Sequence, residues 1–164
     1  MTESTPEPTA GPIVVGVDGS ENAVRALQVA VTLAAGLDAE ILAVHALGLL
    51  TTIDGERHPS LDYRDEIEER LQSHWCATLE THRPGRWRSR LIDGSPAEVL
   101  LAAAEEAQAG YVVVGARGVG GHPDLMLGST SHQVIHHSRC PVVVVPPIDR
   151  SEASAAQDEA RRRL

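Results

Sequence analysis

Lysine is missing from this chain. All fourteen basic side chains are arginines, which excludes the phosphate-binding loop whose lysine grips the β- and γ-phosphates. Any phosphate would have to be held by backbone N–H groups, hydroxyls, a metal ion or an arginine. Phenylalanine is also absent, and aromatic residues make up only 2% of the sequence, too few for the stacking platforms that hold single-stranded nucleic acid. Positive charge is in deficit as well: the formal net charge of -9 at pH 7 repels polyanions and argues against general DNA or RNA binding. No apolar stretch approaches the length of a membrane span, and no basic segment followed by an apolar one opens the chain, so no secretory signal is expected. Cys76 and Cys140 stand far apart without metal-ligand spacing. Two such cysteines suit a reduced, cytoplasmic protein better than a disulfide.

What is present is Ala, Val and Leu in short periodic runs. A length of 164 residues fits one domain with a real core. Residues 1–11, rich in Thr, Glu, Pro and Gly, read as a flexible tail. Residues 13–18 read as a strand that is apolar nearly throughout, as one covered on both faces should be. Ser20 is the expected N-cap of a helix that sets Ala23, Leu27, Ala30 and Ala34 on one face and stops near Gly36. Residues 40–47 give a second strand and 48–60 a long exposed loop. A helix from Leu61 then turns Ile67, Leu71, Trp75 and Leu79 inward.

Residues 86–92 are polar enough for a strand at a sheet edge. Ser95-Pro96-Ala97-Glu98 is a capping box with proline at the first helical position, opening a helix to about Gly110. A strand over 111–114, a helix over 129–138 and the strand Val142–Val145 follow, and 148–164 is charged and Ala-rich, a flexible or frayed-helical tail. Strands alternating with helices predict a parallel sheet covered on both faces, the doubly wound α/β class.

The densest chemical signal follows the fourth strand. Gly115-Ala116-Arg117-Gly118, nine further residues and then Gly128-Ser129-Thr130 place a glycine-rich loop between a buried strand and a hydroxyl-rich helix start. Glycines let backbone approach an anion closely, and the unpaired N–H groups of a helix start point at it. The same residues also suit a structural loop ahead of an ordinary capped helix.

Taken together, these segments resemble the universal stress proteins of the ATP-binding kind. The matching pieces are the opening run from Ile13 to Ser20, Gly94-Ser95-Pro96, the strand over 111–114 and Arg139-Cys140-Pro141 with the four valines and Pro146 after it. Above all, Gly115-x2-Gly118-x9-Gly128-Ser129 fits the nucleotide motif of that family at every fixed position. The resemblance covers about residues 12–147. It implies an open, Rossmann-like, five-stranded parallel sheet of order 3-2-1-4-5. It further implies ATP as ligand, with or without Mg2+, a homodimer through the last strand, and a cytoplasmic role in the stress response.

In that strand order Asp18 and Gly115 flank a topological switch crevice, where open α/β sheets bind ligands. The resemblance then assigns roles. Gly115, Gly118 and Gly128 let main chain pack against a polyphosphate, Gly120 and Gly121 add backbone freedom, and Ser129 and Thr130 donate hydrogen bonds. Arg117 either reaches a phosphate or stays in solvent. Gly16 leaves room for the base or ribose, and Ala46 matches the place of main-chain contact with adenine. Asp18 is expected on the nucleoside side, because beside a polyphosphate it would be repelled unless a divalent ion intervened; its other reading is a cap for the next helix.

His132 and His136 share a helix face, but no carboxylate or cysteine joins them at ligand spacing. They read, with His122 and His137, as solvent-facing rather than as a zinc site. No nucleophile elbow is present, so no catalytic residue is assigned. The leading function is a module that binds ATP and signals stress. The alternatives are a slow ATPase or phosphotransferase and a nucleotide-free partner-binding dimer.

Overall fold

The computed structural model describes residues 11–53, 55–118 and 126–147. In chain order its elements are β1 (Ile13–Gly16), α1 (Glu21–Leu37), β2 (Ile41–Leu47), β3 (Leu50–Ile53), β4 (Glu56–Pro59), α2 (Arg64–Arg70), α3 (Ala77–His82), β5 (Trp87–Asp93), α4 (Pro96–Glu106), β6 (Tyr111–Gly115), α5 (Ser129–His137) and β7 (Val142–Val145). A 3-10 turn, Ser60–Tyr63, leads into α2, and a π-helical turn, Leu71–Trp75, joins α2 to α3.

Five strands form one sheet in the order β5-β2-β1-β6-β7, every pair parallel. Counted over these five strands, this is the expected 3-2-1-4-5 order. Strand alternation divides the core in two. Ile13, Val15, Ile41, Ala43 and Val113 pack with Ala26, Leu27, Ala30 and Ala34 of α1, and with Leu71 and Leu79. Val14, Leu42, Val44, Val112 and Val114 pack on the other face with Leu100, Ala103 and Ala104 of α4 and Val134 of α5. Leu27 and Leu79 are fully buried, each contributing about 1.5–3 kcal/mol.

The first helix ends near Gly36 as expected, at Leu37, with Asp38 in the left-handed conformation (φ 49°) as its C-cap; Asp is one of the few side chains that tolerate it. Three local expectations change. Residues 48–60 are not simply a loop, since β3 and β4 form an antiparallel hairpin that turns at Gly55 (φ 84°). The helix after Leu61 is interrupted by the π turn. In the Ser95–Glu98 box the hydroxyl bonds the Glu98 carboxylate at 2.6 Å instead of capping a backbone N–H. Ser20 caps α1 as expected, accepting from the Ala23 N–H at 3.2 Å.

The feature that positions a site is where pairing stops. β1 and β6 pair only as far as Val15 with Val113, whereas Gly16 stays in register with Val44 and Gly115 with Val145. Beyond that point the two central strands part, one chain leaving for α1 on one face and the other for α5 on the opposite face.

Candidate functional site

A cleft of about 330 Å³ opens where β1 and β6 part, near the lower end of the range for small-molecule sites. Its apolar lining comes from Val44 and Ala46 of β2, Leu100 of α4 and Val114 of β6. Its hydrogen-bonding lining comes from Asp18 and Ser20 after β1, Arg117 and Gly118 after β6, and Ser129, Thr130 and Ser131 at the start of α5.

Nine of the residues singled out in the sequence line this one cleft: Gly16, Asp18, Ala46, Gly115, Arg117, Gly118, Gly128, Ser129 and Thr130. Gly120 and Gly121, like His122, lie outside the described residues.

The glycines sit where backbone comes close to other atoms. A Cβ on Gly16 would stand 3.1 Å from Leu100 Cδ1, and one on Gly115 would stand 3.0 Å from Asn22 Cβ and 3.1 Å from the Asn22 carbonyl oxygen. The loop after β6 is pinned from beneath. The Gly128 N–H donates to the Ala116 carbonyl at 2.7 Å. The buried Ser131 hydroxyl bonds the same carbonyl at 2.8 Å and lies 3.0 Å from the Gly128 carbonyl. α5 then begins at a glycine N-cap with no side-chain hydrogen bond. Helix geometry leaves its first-turn N–H groups without intrahelical acceptors, and these residues border the cleft.

Across the cleft, Asp18 holds its own turn. Its Oδ1 accepts from the Ser20 N–H at 3.0 Å and from the Ser20 hydroxyl at 2.6 Å, while Oδ2 faces Gly118. Behind that turn, His45 Nδ1 lies 2.7 Å from the Val17 carbonyl, and its ring meets Trp75 edge-on at 4.9 Å. Burial lowers the His45 pKa below its ordinary 6.5, against the opposing pull of the Val17 bond and the Asp18 charge.

Sequence reasoning missed Ser131, His45 and the α4 contribution from Pro96 and Leu100. The Ser129-Thr130-Ser131 run hinted at the first; nothing in the sequence marks which α4 residues meet the cleft. The exposed His132 and His136 rings lie 4.6 Å apart on α5. Among the described residues, no group of three or more His, Cys, Asp or Glu is placed to hold a metal ion, and no helix is long and apolar enough to cross a membrane.

The model of the universal stress protein family matches residues 10–146. The chain belongs to the universal stress protein family. Universal stress protein YxiE of Bacillus subtilis is 31% identical to it over 143 residues, spanning 81% of this chain and 97% of the relative. The Thermus aquaticus "Universal stress protein in QAH/OAS sulfhydrylase 3'region" is 35% identical over 135 residues, spanning 81% and 96%. Two solved structures share the fold of this universal stress protein. One is a universal stress protein in complex with cAMP (TM-score 0.65, 22% identity, 84% of this chain and 97% of that one). The other is from Archaeoglobus fulgidus in complex with dAMP (TM-score 0.60, 24% identity, 84% and 98%).

Proposed function

We propose that this universal stress protein binds an adenine nucleotide, ATP in the first place, in the cleft between β1 and β6, and acts as a binding module for stress signalling. The observation that carries the reading is the convergence of Gly115, Gly118, Gly128 and Ser129 on the same cleft as Gly16, Asp18 and Ala46. The complexes of two fold relatives with cAMP and dAMP support the adenine class.

The residues present fit such a ligand. ATP brings a concentrated negative charge, and the first-turn N–H groups of α5, the Ser129 and Thr130 hydroxyls and Arg117 would hold it. Leu100, Val44 and Val114 offer apolar contact for a base, with Ala46 as the main-chain position. Asp18 offers an acceptor to ribose hydroxyls. It also borders the loop at Gly118, so Mg2+ accompanies the phosphates wherever the two anions meet.

The chain also pairs with a second copy through β7 in this reading. That strand is a sheet edge with β6 as its neighbour, and its half-buried Val142, Val143 and Val144 form the kind of apolar edge that proteins cover.

Titration calorimetry with ATP and Mg2+ tests the site. Saturable binding, together with an adenine nucleotide released on denaturing the purified protein, is the expected result. Failure of ATP, AMP and cAMP alike to bind would end the reading.

A further inference from the structure

The turn that carries Asp18 and Ser20 into the cleft is gripped from the face of the sheet that carries Ile41 and Ala43. Val17, the residue after β1, is tied to β2 through both of its backbone polar groups. Its N–H donates to the Val44 carbonyl at 2.9 Å, and its carbonyl faces His45 Nδ1 at 2.7 Å. A carbonyl can only accept, so Nδ1 carries the proton, and in the neutral ring Nε2 is left bare.

By strand alternation the His45 side chain shares the face of Ile41 and Ala43, where it meets Trp75 at 64° between ring planes. Trp75 in turn lies on Gly19. A Cβ there would stand 2.7 Å from the indole Nε1 and Cε2, and Gly19 has φ 79°. Trp75 closes the π-helical turn Leu71–Trp75; such turns recur at functional sites.

We infer that His45 is a positioning residue for the nucleotide cleft: with Trp75 it clamps Val17 and Gly19, and so fixes the Asp18 and Ser20 groups that face the ligand. The inference rests on the adenine-nucleotide reading of the cleft. It assigns work to a residue that borders the cleft while its ring packs beside Trp75, and it accounts for the indole seated on a bare glycine.

The test compares His45→Leu, which keeps the bulk without the donor, with His45→Asn, whose side-chain N–H₂ stands near the position of Nδ1. ATP titration is read beside amide hydrogen exchange at Gly19 and Ser20. The Leu variant is expected to lose ATP affinity by about tenfold or more and to exchange those amides faster, while Asn recovers both. In a Trp87→Phe background, where Trp75 is the one remaining indole, its fluorescence shifts on ATP addition in the Asn variant and not in the Leu variant.

Wild-type affinity in His45→Leu, or equal losses in Leu and Asn, would overturn the clamp. Should His45→Leu fail to fold, His45→Gln replaces it, with its amide reaching the Nε2 position; Gln binding as well as Asn would overturn the clamp. Should wild-type protein bind no nucleotide, the reading of the cleft fails, and the exchange comparison alone then decides whether His45 orders the turn.

Discussion

Asp18 Oδ2 lies 2.6 Å from the point that a Cβ on Gly118 would occupy, so the carboxylate of the early turn leaves no room for a side chain at that point of the late loop. Gly118→Ala forces one of them to move. Because Gly118 is exposed and the obstructing atom is the end of a side chain, the substitution is expected to lower stability by only about 1 kcal/mol, yet to weaken ATP binding by at least about tenfold. Adding Asp18→Ala removes the clashing oxygen, so urea unfolding of the pair should be clearly non-additive. Simple additivity would mean that the two residues are not in contact.

Gly128 has more room. A Cβ there meets the Ala116 carbonyl oxygen and Arg117 Cα at 3.5 Å, an ordinary contact. Gly128→Ala combined with Ser129→Ala is expected to change stability by about 1 kcal/mol or less, the scale of an N-cap substitution. ATP affinity should nevertheless fall by at least about tenfold. Calorimetry showing unchanged affinity would place the ligand elsewhere.

The lowered pKa of His45 makes a signed prediction. Burial disfavours its charged form in the folded chain, so the unfolded state takes up the proton first as pH falls below about 6.5. Stability therefore declines with acidification from that point until the folded-state ring also protonates. Asp18 is the charged group that opposes this trend. His45→Asn removes the titration, and its urea midpoint should fall less than wild type between neutral and mildly acid pH. Parallel declines would assign the acid sensitivity to other groups.

Cys76 is fully buried, and burial pushes its thiol up to about 12. Native protein treated with iodoacetamide at mildly alkaline pH should leave Cys76 unmodified in peptide mass spectra, with labelling appearing only in urea. The same shift predicts stability lost as pH rises from the ordinary 9.0 towards 12, since only the unfolded thiol ionises readily across that span. Rapid native labelling would show that the α2–α3 segment opens.

Much of this architecture was readable before any coordinates. The doubly wound class follows from apolar runs alternating with helices and the strand order from the family resemblance, and Ser20 caps α1 because a hydroxyl before an apolar helical face is a natural N-cap. What escaped was set by local geometry. Ile67, Leu71, Trp75 and Leu79 recur at intervals of four, more than one α-helical turn. The π turn, with the Cys76 N–H bonded to the Leu71 carbonyl, absorbs part of that surplus and delivers Trp75 to Gly19.

The β3–β4 hairpin had its signal in Asp54-Gly55 after two threonines and an isoleucine, outweighed by the polar residues around it. In the site, residues whose roles follow from backbone approach were legible because glycine declares itself. His45 was not, because an inward histidine on a strand looks the same whether it fills space or holds a carbonyl. Leu100 was not, because every apolar residue of α4 looks alike until its packing is known.

The early end of pairing between β1 and β6 has a thermodynamic corollary. The floor of the cleft is the end of the middle strand, whose body is bonded on either side and packed by both halves of the core, so peripheral fraying does not dismantle it. A ligand held there raises the free energy of opening the whole sheet. Occupancy should accordingly be felt as slower proteolysis and hydrogen exchange far from the ligand, out to Ile13 and Tyr111 at the opposite end of the strands.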